Sequence, residues 1–279
     1  MSILSERSKT IAETSIDGVF VIYGGPGTGK TVLASTFPKT KERPMLILDI
    51  LEGGTGSISK AYSDNVHVVD VQSFLELNSI LTDVENGYTM NEKNEKIPVA
   101  YSTIVFDSAT QLEFLMKKYL MESSQKDTMN LNLWGQARTT HEQIWNLAKY
   151  LHKKTGALIV IIAHQKEVQD EENASFNKVI PSLMNGAAYA LCAKASFVWY
   201  TKVETEKVID AKTNEVKDEI RYYTYLDAHP YLLTKTRKPQ EIMVPSKVQN
   251  LTFEKFKKNV LDKLTAQKEG KANEPTKQN

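Results

Sequence analysis

The sequence predicts an α/β fold: a mostly parallel, doubly wound sheet, extended late in the chain by antiparallel strands. Three observations carry that expectation. Up to about residue 165, short β-branched runs alternate with segments of helical apolar spacing. A glycine-rich loop, "GGPGTGKT" at Gly24–Thr31, sits between one such run and a helix. After residue 195, "ASFVWYTKVE", "EIRYYTYLD" and "YLLTKTR" follow one another as strand-like segments with no helical pattern between them.

In chain order, "GVFVIY" (Gly18 to Tyr23) reads as a buried strand and "TVLASTF" (Thr31 to Phe37) as a helix stopped by Pro38. "RPMLILDI" and "VHVVD" read as two further strands, separated by the glycine-rich "LEGGTGS". The helix "VQSFLELNSILTDVENG" closes on Gly87, and "YTMNEKNEKIPVA" is a hairpin or loop. The strand "YSTIVFDSA" ends at Asp107, and the helix "TQLEFLMKKYLMES" follows. Residues Ser124–Ala137 read as a long polar loop, and "RTTHEQIWNLAKYLHKKTG" as an amphipathic helix closed by Gly156. "ALIVIIAHQ" is the most apolar strand, and Lys166–Gly186 reads as a second long polar loop. The reading places one domain at residues 1–250, with a basic helix and disordered tail at 251–279.

Net charge is +1, from 35 basic and 34 acidic residues. Residues 235–279 hold ten lysines and one arginine against five acidic residues, a net of +6, which leaves −5 for the rest. That tail either attracts polyanions or serves as a solvated surface. A single cysteine, Cys192, excludes an internal disulfide and suits a reducing compartment. The longest apolar run, Ala157 to Ala163, is too short to span a bilayer, and the first fifteen residues lack a signal-peptide apolar core. The expectation is a cytoplasmic protein with no membrane partner.

Gly24–Thr31 matches G-x-x-x-x-G-K-[ST] in the strand–loop–helix setting that motif needs. Small residues (Gly24, Gly25, Pro26, Gly27, Thr28 and Gly29, with Val32 just beyond) let backbone N–H groups wrap a phosphate chain, and the helix dipole points at it. Lys30 reaches the β/γ-phosphates and Thr31 offers its hydroxyl to Mg²⁺. Asp107, at the end of "TIVFD", is the expected second metal ligand. Ser108 follows it, where many ring ATPases carry the Glu that activates water, so the general base lies elsewhere. Glu52 and Asp49, at the end of the second strand, both qualify, with Glu52 preferred. His164 and Gln165 end a core strand and would sense the γ-phosphate.

The ordered set Gly24–Thr31, Glu52, Asp107-Ser108 and His164-Gln165 resembles a RecA-like P-loop ATPase core. In size and layout the chain is similar to the core-only RecA-like proteins of phage, the Sak group of single-strand annealing proteins. The likeness covers residues 15–245, with the acids spaced Asp49-Ile-Leu-Glu52 where the family has Asp-x-Glu. It implies ATP and Mg²⁺ as cofactors and a homo-oligomeric ring or filament acting on single-stranded DNA in phage recombination, in the host cytoplasm, with a single-strand-binding protein as a further partner. It also implies that Lys235 and Arg237 of "KTR" reach into a neighbour's ATP site, and that the two polar loops face the DNA. The residues offered there are Lys126, Asn130, Asn132, Trp134, Gln136 and Arg138 in the first loop, and Lys166 and Lys178 in the second, where the acidic "QDEEN" opposes binding. A ring helicase or DNA motor is the alternative. A nucleoside kinase is disfavoured by the absence of a mid-chain arginine cluster. A GTPase is excluded because "NKVI" is not the guanine-reading Asn-Lys-x-Asp.

Overall fold

The computed structural model describes residues 18–169, 177–209 and 215–268. Their centre is a ten-stranded sheet with path order β12-β10-β9-β1-β7-β6-β2-β3. The parallel strands are β1 (Val19–Gly24), β2 (Met45–Ile50), β3 (Val66–Val71), β6 (Thr103–Asp107), β7 (Leu158–Gln169) and β9 (Phe197–Ile209). β10 (Val216–Tyr225), β12 (Lys247–Gln249), β8 (Asn177–Pro181) and β11 (Lys235–Thr236) add antiparallel pairings, and β4 (Tyr88–Met90) and β5 (Lys96–Pro98) form a separate hairpin. The predicted α/β class, mostly parallel with antiparallel additions, is the observed one.

Side-chain alternation along the strands sends residues to two cores. Val19, Val21 and Tyr23 of β1 face one cluster, with Leu46, Leu48, Ile159 and Ile161. The helices α3 (Phe74–Asn86), α4 (Ala109–Ser123), α5 (Leu131–Thr155) and α6 (Asn185–Lys194) cover that face. Phe20 and Ile22 face the other, with Met45, Ile47 and Trp199. There α1 (Lys30–Ser35) packs beside the C-terminal segment: α7 (Phe253–Phe256), a π-turn, then α8 (Asp262–Lys268). A one-turn helix, α2 (Lys60–Ser63), leads into β3.

Register decides where chemistry collects. Gly24 pairs with His164 and with Thr201, and Asp49 and Asp107 are cross-strand partners. The C-terminal ends of β1, β2 and β6 therefore gather beside His164 of β7, which runs on past them, and open α/β sheets bind ligands at that edge.

Four expectations are corrected. Only residues 124–130 of the first polar loop lie outside helix; α5 begins at Leu131. Asn130 caps it, its Oδ1 accepting from Leu133 N at 3.0 Å, and Leu133, Ala137 and His141 give the helix a buried stripe that outweighs the polar composition. In the second loop, residues 166–169 continue β7 and pair antiparallel with β8. Residues 170–176, with most of the acidic cluster, lie outside the described residues, as does the tail beyond 268. α6 was not foreseen, and "YLLTKTR" contributes only the two-residue β11. Finally, Leu251, Phe253, Phe256, Val260 and Leu264 belong to the same cluster as Phe20 and Phe37, so the expected division at residue 250 cuts through one packed core.

Candidate active site

The phosphate loop leaves β1 at Gly24, where a Cβ would meet the Thr201 carbonyl oxygen at 2.3 Å, so only glycine lets β1 and β9 approach this closely. Gly29 N-caps α1 in the left-handed region at φ 83°, turning the following N–H groups inward. Thr28 Oγ1 braces the loop, donating to Gly25 O at 2.8 Å and lying 2.8 Å from Thr201 Oγ1. Lys30 is buried, and its ammonium donates to Gly25 O at 2.7 Å. Burial lowers its pKa, against the raising effect of Asp107 and Glu52.

Thr31 Oγ1 donates to Asp107 Oδ2 at 2.7 Å, joining the two expected metal ligands. Burial, together with the neighbouring Glu52 and Asp49 charges, pushes the Asp107 carboxyl up to about 6 against the Thr31 hydrogen bond and Lys30. A corner of hydroxyl and carboxylate oxygens short of positive charge fits a hard divalent cation.

The geometry separates the two candidate bases. Asp49 is 4% exposed, and its carboxylate holds the turn after β2. Oδ1 accepts from Glu52 N at 3.1 Å and Gly53 N at 2.9 Å, and Oδ2 accepts from Thr55 Oγ1 at 3.4 Å. Glu52 instead turns toward the loop. Its Oε1 accepts from Ser108 Oγ at 2.5 Å and lies 2.7 Å from His164 Nε2. A cavity of 270 Å³ is lined by Lys30, Thr31, Glu52, Asp107, Ser108 and His164. Gln165 is set aside from it. Its Oε1 accepts from Tyr200 OH at 3.0 Å and lies near Gly25.

In the sequence Ser108 stands only where a Glu is expected. The Ser108-x-x-Gln111 spacing before an apolar helix is a cap signature, and Ser108 Oγ does cap α4, accepting from Gln111 N. That cap fixes the hydroxyl that grips Glu52. Also unforeseen is a 490 Å³ cavity on the far side of Gly27, Gly29 and Val32, lined by Leu33, Tyr62, Tyr222 and Leu251 among others.

The basic pair lies at the opposite end of the sheet. Lys235 and Thr236 pair with Val198 and Phe197, at the start of β9, whereas the phosphate loop follows the end of β1. Within the chain the pair meets a helix end: Lys235 Nζ donates to Cys192 O at 2.5 Å and to Ala193 O at 3.2 Å, and Arg237 Nη2 to Ala193 O at 3.4 Å. The last carbonyls of α6 carry the negative end of the helix dipole.

Of the expected DNA residues, Trp134, Arg138 and Lys166 line one groove of 630 Å³, together with Phe114 and Lys117 of α4. Lys117 Nζ stands 4.8 Å from the Trp134 ring centroid, and Trp134 is 40% exposed. Exposed Phe114, on an otherwise core-spaced helix, was the overlooked signal. Lys126, Asn130 and Lys178 are not among the lining residues, and Asn132 lines a separate groove with Gly135 and Gln136.

Among the described residues no helix is long and apolar enough to cross a membrane. No curated protein matches the chain. A family model described as an AAA domain matches residues 18–238, from the residue before β1 to just past the basic pair. That match spans more than half of the chain, and the chain belongs to the AAA-domain family of P-loop ATPases.

Proposed function

We propose that this chain is an Mg²⁺-dependent ATPase that binds single-stranded DNA and self-associates, acting in strand annealing during phage recombination. The observation that carries the hydrolytic reading is Glu52, held by Ser108 and His164 across the cavity from Lys30, Thr31 and Asp107. A carboxylate held there takes the proton of the water attacking the γ-phosphorus. Lys30 exchanges Gly25 O for the phosphates, and the loop N–H groups bind the rest of the chain. Thr31 and Asp107 would hold Mg²⁺, which neutralises charge on the phosphates. His164 sets the carboxylate's position and registers the γ-phosphate beside it.

The DNA reading is supported by the groove of Phe114, Lys117, Trp134, Arg138 and Lys166, since stacking faces beside cations bind single strands with little sequence preference. Self-association is supported by the basic pair, which cannot serve the nucleotide of its own chain from the far end of the sheet but can face a neighbour's. The test is phosphate release by wild type and Lys30→Ala, each with and without a poly-dT oligonucleotide. The expected result is a DNA-stimulated rate in wild type and none in Lys30→Ala. An equal rate in Lys30→Ala would overturn the ATPase reading, and a wild-type rate indifferent to the oligonucleotide, with labelled-oligonucleotide anisotropy indifferent to added protein, would overturn the DNA reading alone.

A further inference from the structure

β7 outruns its neighbour β6, and a side chain takes over where the ladder stops. Leu158 N donates to Ser102 O, so alternate residues 158, 160, 162 and 164 turn their N–H and C=O groups to the β6 side. Pairing with β6 ends at Asp107 and Ile162, because the chain there turns into α4. His164 N is the next group in that series, the first beyond the ladder. Thr110, in the first turn of α4, meets it: His164 N donates to Thr110 Oγ1 at 3.0 Å. The carbonyl of the same residue accepts from Ser182 N at 2.7 Å. Both backbone groups of His164 are thus fixed by residues far away in the chain.

We infer that Thr110 is a positioning residue for hydrolysis, setting His164 and, through it, the carboxylate of Glu52. The inference rests on the ATPase reading and adds to it a residue outside the catalytic cavity. Thr110 does not line that cavity, so its influence on the reaction runs through His164. From the backbone that Thr110 holds, the imidazole reaches Glu52, with Nε2 2.7 Å from Oε1. The same oxygen accepts from Ser108 Oγ, which caps the helix whose first turn carries Thr110. Helix start, imidazole and carboxylate therefore form one closed frame. One turn of α4 grips the base twice, directly with the Ser108 hydroxyl and indirectly with the Thr110 hydroxyl. A general base depends on reach and direction, and a misplacement of about 1 Å can cost about a hundredfold in rate.

The residue type fits the task. Thr82, Thr139 and Thr155, inside their helices, each donate to the carbonyl four residues back on the same helix. Thr110 is the second residue of α4 and has no helical carbonyl four residues behind it. Its oxygen is turned to another element instead. Valine would match its shape without offering an acceptor, and the His164 N–H would have to shift or find water. Either outcome loosens the end of β7 against α4. The imidazole then loses its fixed place relative to Ser108, and the shared carboxylate oxygen is no longer aimed from both sides. Serine keeps the oxygen and so keeps the frame.

The test measures steady-state hydrolysis and ATP affinity of the full chain, with thermal unfolding of each variant alongside. Thr110→Val should lower kcat about tenfold and leave the ATP dissociation constant within about twofold of wild type. Thr110→Ser should restore kcat to within about twofold. Thr110→Ala also removes the oxygen and makes the same comparison if the valine variant does not fold. A wild-type kcat in the variant lacking the oxygen, measured well below its melting temperature and whatever that temperature is, would reduce the contact to a structural tie and overturn the inference. An equal loss of kcat in Thr110→Ser would overturn it too, as would an ATP affinity that falls in step with kcat. All three results leave the ATPase reading standing. A wild-type rate no higher than that of Lys30→Ala would remove that reading and the inference with it.

Discussion

Glu113→Gln should destabilise the fold by about 3.5 kcal/mol at neutral pH, and the deficit should shrink as the solution is acidified. Glu113 is a buried carboxylate on α4 where three elements meet. Its Oε2 lies 3.0 Å from His141 Nε2 on α5 and accepts from Met184 N, at the start of α6, at 2.7 Å. Its Oε1 is paired with Lys117. Burial alone would raise its pKa, but the hydrogen bonds from His141, Lys117 and Met184 outweigh that and hold the carboxyl at about 2, from an ordinary 4.5. A depressed pKa stabilises the fold above the unfolded value and stops doing so as pH falls through the folded one. The folded value lies about 2.5 below the ordinary one, which at about 1.4 kcal/mol per tenfold gives about 3.5 kcal/mol at pH 7. By the same linkage about 1.4 kcal/mol is left at pH 3, and almost none near pH 1. Glutamine keeps the shape and loses the charge, so the difference between variant and wild type isolates this group from the other acids. Urea unfolding of both proteins at pH 7, 5 and 3 reads it directly. A deficit below about 0.5 kcal/mol at pH 7, or one that does not change with pH, would refute the reasoning.

The site carries three further tests. Glu52→Gln should retain ATP while hydrolysis falls by about 10²–10⁴-fold, the range for a lost general base, whereas Asp49→Asn should loosen the Glu52–Thr55 turn and lower the melting temperature; the opposite pattern in a nucleotide-retention assay would make Asp49 the base. Trp134→Ala should weaken oligonucleotide binding by about 1–3 kcal/mol with the melting temperature unchanged, since the ring is half-exposed; anisotropy at wild-type affinity would remove it from the groove's function. Lys235→Ala/Arg237→Ala should lower stability by about 1 kcal/mol through the lost cap on α6, and mixing it with Lys30→Ala chains should restore hydrolysis. Mixed oligomers that form but remain inactive would leave the pair with the helix cap alone.

The local patterns of this chain were legible because they depend on near neighbours. The phosphate loop is eight consecutive residues whose backbone freedom and following helix suffice to declare it. β1, β2, β6 and β7 announced themselves as apolar runs because parallel strands are buried on both faces. α3 was readable from its spacing and from the glycine that closes it. Where local composition competed with burial, it misled. Asn130, Asn132 and Gln136 look like loop residues, but Leu133, Ala137 and His141 recur on one face, and packing against the sheet makes that stretch helix.

What the tertiary structure alone decided are relations between residues far apart in the chain. As text Asp49 and Glu52 both qualify, with Glu52 preferred. They part only because Ser108 and His164, 56 and 112 residues away, grip one carboxylate while the local turn absorbs the other. Lys235 and Arg237 read as two cations needing an anion, and only the fold shows that both donate to the end of α6. The C-terminal helix read as a solvated appendage because its lysines dominate its composition. Its Phe253, Phe256, Val260 and Leu264 lie on one side and match an apolar face that exists only once the sheet has formed. Periodicity shows that a segment has a face to bury, but not against what. That choice belongs to the register and order of the strands, which lined up Gly24, Asp49, Asp107 and His164 on one edge and brought residue 251 beside residue 29.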